Sequence, residues 1–169
     1  MTENLKVVLF TSRNKDNKDV PGFKQRSKTF LTTKDKDDKT LIDEFENWSY
    51  QGLYGETSRF YISVNSRDSD KINKAFVHYL LNNPQISPAS YPQRVASVAA
   101  KKENASEFKW LFDFDEKKEL ISEFISDIKK ESNLTYEEIE FSETVTGFAV
   151  IVKHGFDTRN LLKKWKNVE

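Results

Sequence analysis

Two aspartates in one short segment have the type and spacing that divalent-metal chemistry uses. The segment Trp110–Asp115 reads Trp-Leu-Phe-Asp-Phe-Asp and is typical of a strand, because aromatic side chains favour a pleated surface. Side chains alternate between the two faces of a strand, so Asp113 and Asp115 share one face, about 6–7 Å apart. Two carboxylates so placed repel each other, and a shared Mg²⁺ or Mn²⁺ neutralises them together with substrate phosphates. Asp113 and Asp115 are therefore candidate metal ligands and candidate catalytic residues.

The same two aspartates also have a structural interpretation without any ligand. Asp115 stands where it could cap a helix that begins at Glu116. Asp113 would then be an ordinary hydrated side chain on the outer face of the strand. The local pattern leaves both interpretations open.

A second motif follows the aspartates after one predicted helix and one predicted strand. Residues 144–152 read Thr-Val-Thr-Gly-Phe-Ala-Val-Ile-Val. Together the two segments, within residues 107–157, resemble the catalytic core of archaeo-eukaryotic-type primases, which has an RRM-like palm fold. This resemblance implies that Asp113 and Asp115 bind metal. It also implies that Thr146 and Gly147 contact an incoming nucleotide.

The second motif departs from the primase pattern at one position. Where the family carries a histidine, this sequence has Ala149, and His154 lies five residues later, where a regular strand would direct it to the opposite face. The family also has a further acidic residue on a neighbouring strand, for which Glu140, Glu143 and Asp157 are the candidates. The resemblance therefore implies a related fold and leaves open whether the chain catalyses a reaction.

Three other features could contact phosphates or bases. Arg67 lies between a predicted strand and a helix capped by Asp68 or Ser69, where a helix N-terminus can bind phosphate. Lys109 flanks the aspartate segment Trp110–Asp115 and could meet a nucleic-acid backbone or simply be hydrated. Tyr50 and Tyr54 lie in a glycine-containing loop and could stack on bases, although packing onto the core is the commoner fate of such a loop. Arg67 and Lys109 are accordingly candidate nucleotide-binding residues.

Composition excludes several classes of function. Of the 169 residues, 27 are Lys or Arg and 27 are Asp or Glu, so the chain is not a general polycation for nucleic acid. The absence of cysteine excludes disulfide scaffolds, cysteine zinc sites and thiol catalysis, and two histidines cannot form a histidine-rich metal site. No apolar run has the roughly 18 residues of a membrane span. We expect no membrane partner and a cytoplasmic protein, in a bacterial host cell if the chain is phage-encoded.

The elements that must position these residues alternate between strands and helices. Residues 1–169 are predicted to form one domain, with an N-terminal strand pair in 1–40 and an RRM-like core in 59–166. The predicted strands are 5–11, 27–33, 59–64, 108–114, 136–142 and 148–153. The predicted helices are 41–48, 69–81, 93–102, 116–131 and a last one capped by Asp157, and the run 34–39 is expected to be hydrated. This order predicts an α+β fold with a mainly antiparallel sheet, helices on one face and a ferredoxin-like core.

Three functions are compatible with the sequence. The first is a small primase-like protein that binds nucleotide or nucleic acid through an open sheet face, with weak or no catalysis. The second is an active nucleotidyltransferase of the primase or polymerase type, dependent on Mg²⁺ or Mn²⁺. The third is a non-enzymatic phage-type protein that binds a host protein.

Overall fold

The structure is a computed structural model that describes residues 3–33 and 39–169, so part of the predicted run 34–39 lies outside the described residues. The strands are β1 (Asn4–Ser12), β2 (Arg26–Thr32), β3 (Arg59–Ile62), β4 (Arg67–Asp68), β5 (Trp110–Phe114), β6 (Ile139–Glu143) and β7 (Phe148–Val152). The α-helices are α1 (Lys39–Tyr50), α2 (Ser69–Asn82), α3 (Tyr91–Ala99), α4 (Ile121–Ser132) and α5 (Arg159–Lys164). None of the described helices has both the length and the apolar character that a bilayer span requires.

The chain divides into two compact units, Met1–Glu107 and Phe108–Glu169. Each contains its own antiparallel sheet and its own helices, which confirms the predicted α+β class. The prediction of a single domain over residues 1–169 stays a prediction.

The first unit is built around the long strand β1. Strand β1 pairs antiparallel with β2 on one side and with β3 and β4 on the other. Phe10 lies at its centre, is fully buried, and meets the rings of Phe30 and Phe60 edge-on at 5.3 Å. Phe45 and Trp48 of α1 complete this aromatic cluster, as their spacing on one helix face predicts.

The helices of the first unit begin close to where the sequence predicts. The carboxylate of Asp68 accepts hydrogen bonds from the backbone N–H groups of Asp70 and Lys71, so Asp68, rather than Ser69, is the N-cap of α2. Helix α3 begins two residues earlier than the predicted helix and ends three residues earlier.

The second unit has the β-α-β-β-α-β order of ferredoxin-like folds. Strands β5 and β6 both pair antiparallel with β7, and α4 connects β5 to β6. After α5 the chain returns beside β5, where the backbones of Asp113 and Glu169 exchange both N–H···O bonds, at 2.9 and 3.2 Å. Residues 167–169 therefore act as a short last strand at the outer edge of β5.

One face of this second sheet is covered and the other is open. Helices α4 and α5 bury Phe124 and Leu161 against Phe112, Phe114 and Val150 of the sheet. On the opposite side, which we call the open face, Leu111 and Asp113 of β5 are exposed. The alternation of β5 thus places its aspartate on the open face, as the period-2 pattern predicts.

Several element boundaries in the second unit differ from the prediction, most of all the starts of α4 and β6, while β5 begins at Trp110 rather than at residue 108. Helix α4 begins at Ile121, after a 3₁₀ turn at Lys118–Leu120, rather than at Glu116. Asp115 therefore does not cap a helix. Strand β6 begins at Ile139, because the preceding residues form a 3₁₀ turn closed by a capping box.

Candidate functional site

Asp113 lies in the middle of a row of side chains that crosses the open face. Its cross-strand neighbour on β7 is Ala149, which in turn faces Ser142 of β6. On its other side Asp113 is paired with Glu169, and residues directly opposite in an antiparallel pair share a face. The row therefore reads Glu169, Asp113, Ala149, Ser142 across four strands.

Negative charge accumulates around Asp113. Partial burial raises the pKa of this carboxyl, and the charges of Asp115 and Glu169 raise it further. A carboxylate held by a nearby cation would show the opposite direction of shift. The two predicted metal ligands are therefore adjacent and like-charged on the open face.

The two sequence motifs meet at Asp115. The hydroxyl of Thr146 donates a hydrogen bond to Oδ1 of Asp115 at 2.7 Å. The turn that carries Thr146 is closed by Gly147, whose N–H donates to Oγ1 of Thr144, while the N–H of Thr144 donates to the Gly147 carbonyl. The structure thus brings together three of the predicted site residues, Asp115, Thr146 and Gly147.

Gly147 permits this meeting because it has no side chain. A Cβ built at this position would overlap the carbonyl oxygen of Phe114 and lie 3.3 Å from the Cα of Asp115. Both contacts are with the backbone at the end of β5. The close approach of the turn to the aspartate strand therefore requires glycine.

Glu169 is the acidic residue that the sequence analysis missed. Of the residues considered as a further acid, Glu140 bonds to Lys109, Glu143 pairs with Lys118 and Asp157 pairs with Arg159. The last strand is only three residues long, so no alternating pattern marks it. The signal that could have found it is topological, since a ferredoxin-like order requires a final strand after α5.

Asp157 has a local role close to the one predicted. Its carboxylate accepts hydrogen bonds from the backbone N–H and the guanidinium of Arg159, which lower its pKa. The N-cap position of α5 itself is Thr158.

The donor set fits a cation that is shared with phosphates better than a site made by protein alone. Within residues 3–33 and 39–169, no group of three or more His, Asp or Glu side chains is close enough to hold a metal ion. Mg²⁺ commonly takes one or two carboxylates and completes its octahedron with water and substrate phosphates. Asp113 and Asp115 can supply that number, while Ala149 cannot contribute a ligand.

The two basic candidates have different surroundings. Lys109 belongs to the second unit, where its ammonium lies 3.5 Å from Oε1 of Glu140. Arg67 belongs to the first unit, where burial lowers the pKa of its guanidinium. Its Nη1 donates to the Lys101 carbonyl at 3.4 Å, and its buried Nε has no acceptor among the described residues. Both assignments to nucleotide binding stay predictions.

A cavity of about 240 Å³ lies away from the aspartate pair. It is lined by Lys109, Glu137, Glu138, Glu140, Ile151 and Lys153. Its lysines pair with its own glutamates, at 3.5 Å for Lys109–Glu140 and 3.3 Å for Lys153–Glu138. We therefore place the candidate site at Asp113 and Asp115 rather than in this cavity.

Asp113→Asn is expected to stabilise the protein at neutral pH in the absence of divalent cations. Because the pKa of Asp113 is raised in the fold, stability falls as pH rises from the ordinary value of 3.8 through the folded value, and stays lower above it. The gain is at most about 1 kcal/mol for so exposed a group, and it should vanish below about pH 4. Thermal denaturation at pH 3.5 and 7 measures it.

The matched control is Asp157→Asn, for which the expected change in stability at pH 7 has the opposite sign. The pKa of Asp157 is lowered by Arg159, so Asp157→Asn should lose stability at pH 7 and approach wild type at low pH. If Asp113→Asn also loses stability at pH 7, the electrostatic description of the site is wrong.

No known protein family, no curated protein and no solved structure matches this chain, so the likeness to primases stays a prediction.

Proposed function

We propose that the second unit binds a nucleoside triphosphate or nucleic-acid phosphates on its open face, through a Mg²⁺ or Mn²⁺ held by Asp113 and Asp115. The observation that carries this proposal is the hydrogen bond from Thr146 to Asp115, which joins the two motifs that the sequence analysis singled out. The acidic end of β5 and the turn that carries the Thr146 hydroxyl therefore form one candidate site.

The electrostatics support a cation as the missing partner. Asp113 carries the repulsion of Asp115 and Glu169 without a compensating charge, which costs stability. Natural proteins keep such costs where function requires them. A divalent cation bridging the carboxylates and a phosphate would remove the repulsion, and binding would then favour the charged form of Asp113.

Ala149 supports binding with weak or no catalysis. It lies on the open face beside Asp113, at the position where the primase-like motif carries a histidine. A methyl group can neither hydrogen-bond to a phosphate nor transfer a proton. The second function, an active nucleotidyltransferase, is favoured by one observation, the negative charge of Glu169 opposite Asp113, although Asp113, Asp115 and Glu169 do not form a three-ligand metal group among the described residues. Either function would be cytoplasmic.

The test is a thermal shift with Mn²⁺ and a nucleoside triphosphate. A ligand at 100 times its dissociation constant adds about 2.7 kcal/mol of stability, so the wild-type melting temperature should rise by several degrees. Asp113→Asn should abolish this rise. Glu119→Gln, which removes an exposed carboxylate of the 3₁₀ turn Lys118–Leu120 in the same unit, should retain it.

The outcomes separate the alternatives. No shift of wild type with millimolar nucleotide and Mn²⁺ contradicts the proposal and favours the protein that binds a host protein. A shift together with nucleotide incorporation that is lost in Asp113→Ala and Asp115→Ala favours the active nucleotidyltransferase.

A further inference from the structure

Two connections emerge at the same end of the first unit's sheet. Residues 13–25 join β1 to β2, and residues 51–58 join α1 to β3. Ser12 is paired with Arg26, and Thr11 with Arg59, so both connections border the same strand ends. Side chains on the two connections therefore lie near each other at this end of the sheet.

Buried polar contacts fix the two connections to each other. Asn17 is 3% exposed, and its amide donates to the Thr57 carbonyl at 3.0 Å while accepting from the Thr57 N–H at 2.6 Å. Asp16 accepts from Arg59 at 2.9 and 3.0 Å. Hydrogen bonds from Arg13 and then Arg59 lower the pKa of Asp16 to about 2. The two connections therefore form a single preorganised surface.

Two tyrosines project into solvent here, Tyr54 within the connection 51–58 and Tyr50 as the last residue of α1 rather than in the predicted loop. Tyr50 is 83% exposed and Tyr54 is fully exposed, so the expectation that this loop packs onto the core is wrong. Tyr54 occupies the apex of a turn in which the Glu56 N–H donates to the Leu53 carbonyl, and Gly55 has the positive φ of +81° that a type II turn needs. The carboxylate of Glu56 also accepts from the Leu53 N–H, which locks the turn.

Three lysines on the neighbouring connection add positive charge. Lys15, Lys18 and Lys24 are exposed, and none forms an ion pair with another described residue. The acids on the same connection are Asp16, which is already held by two arginines, and the exposed Asp19. Residues 13–28 carry six basic and two acidic side chains, so this surface attracts anions.

We propose that this tyrosine–lysine surface, formed by Tyr50, Tyr54, Lys15, Lys18 and Lys24, binds single-stranded nucleic acid. Exposed aromatic rings stack on bases, and lysines beside them follow the phosphates, which is the combination that sequence-tolerant single-strand binders use. Bases inside a duplex are already stacked on their neighbours, whereas the bases of a single strand leave a face free for a tyrosine ring. A single strand therefore fits this surface better than a duplex. The site lies in the other unit and needs no metal, so it goes beyond the function proposed above.

The preorganised turn favours binding over chance exposure. Because the turn fixes the backbone of Tyr54, little backbone entropy is lost when a base stacks on its ring. The charge pattern favours a nucleic acid over an apolar protein surface. An acidic protein segment is the alternative occupant that the experiment distinguishes.

The test is fluorescence anisotropy of a labelled single-stranded oligonucleotide of about 16 bases, the upper site size of one small domain, in EDTA and low salt. DNA and RNA versions of the oligonucleotide show which sugar is preferred. Tyr54→Ala should weaken binding at least about fivefold, as loss of one stacked base does, and Tyr54→Phe should retain it. Tyr136→Ala, which removes a tyrosine 63% exposed in the other unit, is the matched control and should change nothing.

Two measurements separate this proposal from the metal site and from general anion binding. Lys18→Gln should lower the slope of log affinity against log salt by about 0.7, the value for one lost phosphate contact on a single strand. Binding by wild type in EDTA separates this surface from the open face of the other unit, where the proposed site requires a metal.

The proposal is overturned if wild type shows no binding at about 50 µM protein, within the range of ordinary non-specific affinities. It is also overturned if polyglutamate competes as well as the oligonucleotide does, since any polyanion would then suffice. The proposal is likewise overturned if Tyr54→Ala binds the oligonucleotide as tightly as wild type does.

Discussion

Gly147→Ala is expected to destabilise the protein by about 3 kcal/mol, the upper part of the range for overpacked interiors. Gly147 is buried, and the added Cβ would overlap the carbonyl oxygen of Phe114. Because the atoms in the way belong to the backbone of β5, no change of rotamer relieves the overlap. The turn or the strand must move, and urea denaturation followed by far-UV circular dichroism measures the cost.

Gly22→Ala is the control, because it separates steric overlap from backbone strain. Gly22 has a φ of +74° and no heavy atom within 4 Å of the position of an added Cβ. Its substitution costs only the left-handed backbone penalty of about 1–2 kcal/mol. A smaller loss for Gly147→Ala than for Gly22→Ala would contradict the close approach of the turn to β5.

The substitution should also affect the proposed nucleotide site. Moving the turn displaces Thr146, whose hydroxyl is bonded to Asp115. The stabilisation by Mn²⁺ and nucleotide should therefore fall even at temperatures where Gly147→Ala remains folded. Retention of the full shift would mean that Thr146 does not contribute to binding.

The sequence predicts the candidate site where local rules determine it. Because side chains alternate along β5, Asp113 lies on the face of the sheet opposite to Phe112 and Phe114. This two-residue period can be read from the sequence without knowledge of the rest of the fold. The pairing of β6 with β7 follows from a short turn between two β-prone runs. These features depend only on neighbouring residues.

The features that depend on distant residues could not be predicted. The bond between Thr146 and Asp115 spans 31 positions and exists because β7 pairs with β5, which no local pattern encodes. Glu169 lies on a strand too short to show alternation. The exposure of Tyr54 results from a turn fixed by Glu56, whose partner Arg26 is 30 residues away.

Arg26→Ala is expected to cost about 3 kcal/mol in the first unit, the lower end of the range for breaking a buried ion pair. Its Nε lies 2.7 Å from Oε1 of Glu56, a side chain that is only 3% exposed. Nη1 and Nη2 donate to the carbonyls of Trp48 and Ser49 at 2.8 and 3.1 Å, near the C-terminus of α1. One guanidinium thus satisfies a buried carboxylate and two helix-end carbonyls.

Two variants calibrate this loss. Arg26→Lys keeps the positive charge but not the planar guanidinium, so its loss of stability should lie between zero and that of Arg26→Ala. Lys28→Ala, two positions along the same strand, removes an exposed cation beside the Phe30 ring and should stay within about 0.5 kcal/mol of wild type. An Arg26→Ala loss as small as that of Lys28→Ala would contradict the importance of the buried pair.

The pH dependence gives an independent check on the mechanism. Burial alone would raise the pKa of Glu56, but hydrogen bonds from Leu53, Ser12 and Arg26 outweigh it and lower the pKa below its ordinary value of 4.5. The pair therefore stabilises the fold fully above that value, and the contribution is lost as pH falls through the folded pKa. The difference between wild type and Arg26→Ala should be largest at pH 6–7 and shrink in acid. A difference that is independent of pH would mean that Arg26 acts through its packing on Trp48 and the helix-end carbonyls rather than through the carboxylate.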